Sequence, residues 1–130
     1  VALAKEHRLR NYRDFKEVYR YGSRHQSKDL TLRVLRERKT NSAAVVPPPT
    51  RIGISISQKV SKKAVVRNLI KRRIQAACQQ LLKEMSPGWK IVIVVRPGIR
   101  ECEYDHFLPE LRQLLRQTEV INGDSRGNIF

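Results

Sequence analysis

A small sheet covered by helices, an α+β fold, is what this sequence predicts, and three stretches predict it. RIGISIS, Arg51 to Ser57, alternates strictly, with Ile52, Ile54 and Ile56 on one side and Gly53, Ser55 and Ser57 on the other. KIVIVVR, Lys90 to Arg96, is apolar on both faces, the pattern of a buried central strand. Between them Val66, Ile70, Ile74, Ala77, Leu81 and Met85 share one helical stripe, so the strand–helix–strand unit has the length of a crossover connection.

The remaining elements follow in order. Asn11 is placed to cap a helix in which Tyr12, Phe15, Val18 and Tyr19 recur at helical spacing, and Gly22 ends it. DLTLRVLRE, Asp29 to Glu37, alternates as a strand, with Leu30, Leu32 and Val34 on one face. Residues 38–50 carry three prolines among small polar residues and read as a mobile connection. The middle helix runs from about Lys62 to Glu84 and stops at Pro87–Gly88. A last helix, Asp105 to Gln117, points Phe107, Leu108, Leu111, Leu114 and Leu115 at the core, with Pro109 confined to its first turn. The expected order is helix, strand, strand, helix, strand, helix in one domain over residues 1–117. Residues 118–130 are expected to be a disordered tail.

With 130 residues the chain is one ordinary domain, long enough to bury a core without metal or disulfide staples. Its apolar runs are too short for a membrane span, its start lacks the apolar stretch of a secretory signal, and Cys78 and Cys102 fit no metal or redox spacing. These features suit a soluble cytoplasmic protein with reduced cysteines.

Charge is the informative quantity. Twenty-seven Lys and Arg against 12 Asp and Glu give a net charge of +15. Such an imbalance repels itself, and a polyanionic partner offsets it. From Arg38 to Lys83 there is no acid at all. An ordinary solvated surface mixes signs, so this stretch reads as a binding face for nucleic acid. An anionic membrane fits less well, because the basic segments lack an interfacial apolar face.

On a helical wheel, Arg67, Lys71 and Gln75 fall on one flank of the middle helix, with Asn68 and Arg72 beside them. No acid stands four residues away to pair these cations. Ser55, Ser57 and Lys59 lead into the helix, and Lys62 and Lys63 stand at its start.

RIGISISQKVSKKAVVRNLIKRRI resembles the signature segment of the bacterial ribonuclease P protein family, a strand R-x-G-hydrophobic-S, a Lys-containing turn and an Arg-Asn helix. HRLRNYRDFKEVYRYG, His7 to Gly22, resembles the family's N-terminal motif, and IVIVVRPG its late strand ending in Arg-Pro. The three lie in register over roughly residues 5 to 117. Leu69 and Gln75 stand where the family pattern has arginines.

The resemblance implies a four-stranded, mostly antiparallel sheet with about three helices and a left-handed strand–helix–strand crossover, against the usual handedness. It implies an accessory protein of a ribonucleoprotein endonuclease. The catalytic groups belong to an RNA subunit, which uses Mg²⁺ to remove the 5′ leader of precursor tRNA. The protein is then monomeric, one copy per RNA. Lys62, Lys63, Arg67, Asn68, Lys71 and Arg72 would bind the RNA subunit. Phe15, Tyr19, Ser55, Ser57 and Lys59 would line the leader cleft. His7, Arg8 and Arg10 form an N-terminal arm within reach of RNA.

The residues themselves leave alternatives open. Phe15 and Tyr19, an i, i+4 pair, serve equally as core or as rings that stack unpaired bases without regard to sequence. His7 is either an RNA contact or simply exposed. A structural RNA-binding protein of ribosomal type accounts for the same composition, without a role in tRNA processing. His7, His25 and His106 are scattered, with no spacing that would build a metal or nuclease site in the protein.

Overall fold

The computed structural model describes residues 3–37, 48–100 and 105–121. Helix α1 spans Tyr12–Tyr21, and the Asn11 side chain caps it by accepting the Arg13 backbone N–H at 2.9 Å. Strands β1 (Ser23–Gln26) and β2 (Leu30–Arg36) form a hairpin. Strand β3 (Arg51–Ser55), helix α2 (Ala64–Leu81) and strand β4 (Trp89–Val95) make the crossover unit, and helix α3 (Phe107–Gln117) follows.

The sheet order is β1-β2-β4-β3. Pairs β1–β2 and β2–β4 are antiparallel, and β3–β4 is parallel, as a strand–helix–strand connection requires. β4 is central, with α2 and α3 over one face and α1 over part of the other, which is why its sequence is apolar on both faces. Register sorts the side chains. Leu32 and Ile54 both pair with Ile93, and Val34 and Ile52 both pair with Ile91, so one face is continuous aliphatic surface. α2 covers this face with Ile70, Ile74, Ala77 and Leu81, and α3 with Phe107, Leu111, Leu114 and Leu115. Cys78 lies in the same core, and burial pushes its thiol up to about 12, which leaves it unreactive.

The opposite face carries a smaller cluster in which Leu9, Val18 and Val92 are buried, with Phe15, Leu35 and Val94 packed against it. α1 therefore covers only part of that face. Its anchor is polar as well: Lys90, on β4, donates to Asp14 at 3.1 Å and to Glu17 at 2.6 Å, and Arg51 reaches Asp14 at 3.3 Å.

Four expectations change. β1 is a strand that the sequence did not announce. SRHQ has no apolar alternation, and it pairs through its backbone with the apolar β2. The strand expected through Ser57 ends at Ser55. Ser57 instead begins a turn, its hydroxyl accepting the Lys59 backbone N–H at 3.2 Å. The tail is ordered at its start: Val120 and Ile121 are buried, and Ile121 bridges to Met85 beyond α2. Apolar side chains following the last turn of α3 complete the core, while residues 122–130 lie outside the described residues. Of the proline-rich connection, residues 38–47 also lie outside the described residues. Its end is fixed, because Thr50 is buried and donates to the Ser86 carbonyl at 2.6 Å.

Candidate nucleic-acid interface

The N-terminal arm, α1, β3 and α2 meet at the open edge of β3. Leu9 donates its backbone N–H to Ile52 at 2.9 Å, which lays the arm beside the start of that strand. A cleft of about 250 Å³ results. Arg8 and Arg10 line it from the arm, Phe15 from α1, Gly53 from β3, and Lys71 and Gln75 from α2. Residues expected to bind two different RNAs, Lys71 the RNA subunit and Phe15 the leader, thus share one depression.

Phe15 settles against Gly53. A Cβ built on residue 53 would stand 2.4 Å from the Phe15 ring, so only glycine admits the ring there. Phe15 is half-buried, packed against the cluster of Leu9, Val18 and Val92 while also lining the cleft. Tyr19, one turn on, is 41% exposed, and the Arg33 guanidinium lies 4.6 Å from its ring centroid. Arg33, on β2, is not among the residues that the sequence singled out. Its signal was available: it is a charged residue on the side of β2 opposite Leu32 and Val34.

Ser55 sits half-buried at the end of β3 on the Gly53 side of the strand. Ser57 and Lys59 are exposed in the following turn, so they stand beside the strand face and not on it.

The start of α2 is strongly cationic. Lys63 occupies the N-cap without a side-chain cap bond, and the first turn holds no acid. Lysines at the positive end of a helix oppose its dipole, an unfavourable arrangement that a bound phosphate reverses. Lys62, Lys63, Asn68, Lys71 and Arg72 are exposed. Arg67 differs. It is half-buried and donates to the Ser61 carbonyl at 2.8 Å, tying the helix to the turn that precedes it. Further along, Arg73 pairs with Asp105 at 3.2 Å, an acid remote in sequence. Leu69 is half-buried, and Gln75 lines the cleft.

His7 is half-buried in the arm, and its Nδ1 donates to the Thr50 carbonyl at 2.8 Å, so the ring fastens the arm to the segment before β3. Arg8 donates through Nε to the Leu3 carbonyl at 2.8 Å, which keeps its head at the cleft rim.

Arg96 has a structural task. It donates to the carbonyl of Ser27 at 2.8 Å and pins the β1–β2 turn. Glu110 of α3 grips the same turn, accepting the Ser27 hydroxyl and the Asp29 backbone N–H.

A family model described as Ribonuclease P matches residues 3–119. The chain belongs to the ribonuclease P protein family. Among members of that family, the ribonuclease P protein component of Picosynechococcus is 56% identical over 123 residues, covering 95% of this chain and 99% of its own length. That of Cyanothece is 50% identical over 129 residues, covering 93% and 98%. The fold matches the Staphylococcus aureus RNase P protein with a TM-score of 0.74, at 22% identity over 90% of this chain and 99% of that one. The RNase P protein from Thermotoga maritima matches with a TM-score of 0.60, at 22% identity over 85% and 93%. The ribonuclease P fold therefore persists where most side chains have changed.

Proposed function

We propose that this chain is the protein component of a ribonuclease P, one copy per catalytic RNA, and that it holds the 5′ leader of precursor tRNA in the β3-edge cleft. The observation that carries the reading is the shared cleft. Phe15 on Gly53 offers a base-stacking surface, and Lys71 beside it belongs to the cationic face of α2. One wall of the cleft thus touches the substrate strand while the other continues onto the RNA that cuts it.

The division of labour follows from residue chemistry. Aromatic faces stack any base, so Phe15 and Tyr19 hold leaders of differing sequence. Arg8, Arg10, Lys71 and Arg72 counter backbone phosphates. Gly53 and Ser55 present a low strand surface over which a backbone passes closely.

Several of the described acids are already engaged. Asp14 and Glu17 are bound to Lys90, and Glu110 holds the β1–β2 turn. Among the described residues no group of three or more His, Cys, Asp and Glu side chains converges as metal ligands. Magnesium in this reading belongs with RNA phosphates, and no step is assigned to a protein-bound ion. No helix among the described residues is long and apolar enough to cross a membrane, and the reading places the protein in the cytoplasm.

Reconstitution tests it. The protein alone should leave precursor tRNA intact, and adding it to the cognate RNA subunit should allow leader removal at lower Mg²⁺ than the RNA needs by itself. Cleavage by the protein unaided would overturn the mechanism. Tight binding to ribosomal RNA with no effect on leader removal would favour a structural RNA-binding protein.

A further inference from the structure

The outer side of α1 faces away from the sheet and contributes nothing to the cleft. Two of the exposed large apolar side chains stand there, Tyr12 at 76% and Tyr21 at 66% exposure. Each carries a cation across its ring: Lys16 Nζ lies 5.6 Å from the Tyr12 centroid, and the Arg20 guanidinium 5.6 Å from that of Tyr21. Arg13 stands between them, and these side chains frame a shallow depression of about 380 Å³.

The acids of α1 make this surface one-signed. Asp14 is turned inward to Lys90 and Arg51. Glu17, on the rim of the depression, is engaged by Lys90 at 2.6 Å. Arg13, Lys16 and Arg20 form no ion pair among the described residues. At 100° per residue, Tyr12 and Tyr21 project from opposite flanks of the helix, with the three cations and the Lys90-paired Glu17 on the strip between them. A ring with a cation on one face keeps the other face open. A base stacking there brings its phosphate toward that same cation.

We propose that the outer face of α1 is a second binding surface for single-stranded RNA, separate from the β3-edge cleft and from the α2 face. The strand crosses the helix obliquely, one base on Tyr12, one on Tyr21, with phosphates against Arg13, Lys16 and Arg20. Charge selects this occupant: a face with three cations and its one rim carboxylate already paired suits a polyanion.

The test uses the full chain and an oligouridylate substituted with 4-thiouridine. Cross-linked protein is digested with trypsin, which cuts after Arg13, Lys16, Arg20 and Arg24 and so puts Tyr12, Phe15, Tyr19 and Tyr21 in four different peptides. Cross-links are expected in the Tyr12 and Tyr21 peptides as well as in the cleft peptides. Tyr12→Ala with Tyr21→Ala should abolish them and weaken binding at this surface about tenfold or more, while Phe at both positions should retain them. Replacing Arg13, Lys16 and Arg20 by Gln should lower the slope of log affinity against log salt by about 0.7 per cation engaged. Both rings are exposed, so the thermal midpoint of the Ala variant should stay put. Cross-links confined to the Phe15 and Tyr19 peptides would overturn the proposal and leave the cleft reading intact. A sedimentation mass that halves in the Ala variant would overturn it too, making the face an interface between copies of the chain.

Discussion

The Phe15 ring occupies the space that a side chain on residue 53 would need: a Cβ there would stand 2.4 Å from Cζ and 2.8 Å from Cε1. One contact thereby joins α1 to the edge of the sheet and forms the floor of the cleft.

Gly53→Ala is the direct test of that contact. The added methyl cannot be met by a small shift, because the Leu9 carbonyl oxygen stands 3.2 Å away on the same side. Phe15 must leave its place, at a cost of about 1–3 kcal/mol, typical of overpacking. The chemical denaturation midpoint should fall accordingly. Affinity for leader-bearing tRNA should fall with it, and affinity for the RNA subunit should change little. Wild-type stability in this variant would show that the ring is not seated on residue 53.

Phe15→Leu keeps apolar volume over Gly53 but removes the stacking surface. Precursor tRNA should bind about tenfold more weakly, within the range that base–aromatic stacking supplies. Mature tRNA, which lacks the leader, should bind as before. Equal losses for both, in competition binding, would return Phe15 to a purely structural role.

Lys71→Ala and Arg72→Ala should weaken binding to the RNA subunit and flatten its salt dependence, because each lost phosphate contact removes roughly 0.7–0.9 from the slope. Both residues are exposed, so the fold should be unaffected. Arg67→Ala is a less clean probe, since it also frees the Ser61 carbonyl. An unchanged slope for Lys71→Ala and Arg72→Ala would make the face merely solvated.

The Lys90 network predicts an alkaline limit. Burial alone would lower the Lys90 pKa, but the hydrogen bonds it donates to Glu17 and Asp14, with their negative charge, outweigh it and raise the group above its ordinary 10.5. A cation raised on folding contributes its full stability below the unfolded value, and loses it as pH climbs through the folded one. Urea midpoints should therefore hold near neutrality and drop in the range above 10.5. In Lys90→Met that alkaline drop should shrink. The substitution itself should cost about 2–3 kcal/mol, toward the lower end for a broken buried pair because Glu17 is half-exposed. An identical alkaline profile in both proteins would refute the linkage.

Much of this was legible before any coordinates. The Ile52–Ile54 alternation, the apolar β4 run, the stripes of α2 and α3 and the Asn11 cap each follow from local geometry, because burial imposes its period on neighbouring residues. The acid-free stretch from Arg38 to Lys83 marked an anionic partner for the same reason: charge is additive along a chain. β1 was invisible, since SRHQ is held by backbone pairing to β2 and by α3 gripping its turn. The tail was misread because Val120 and Ile121 are too few to show a period, yet they pack beside Met85.

Sequence by itself determined the elements, the basic character of α2 and, through three motifs in register, the ribonuclease P family. Tertiary structure decided which residues face one another. It fastened His7 to the Thr50 carbonyl, paired Arg73 with Asp105, set Arg33 against Tyr19, and brought Lys71 into the cleft of Phe15. The physical reason is sequence distance. A period reports only what lies within a turn or a strand, whereas the cleft joins Phe15 to Lys71, distant in the chain, because the core brings both to one edge of the sheet.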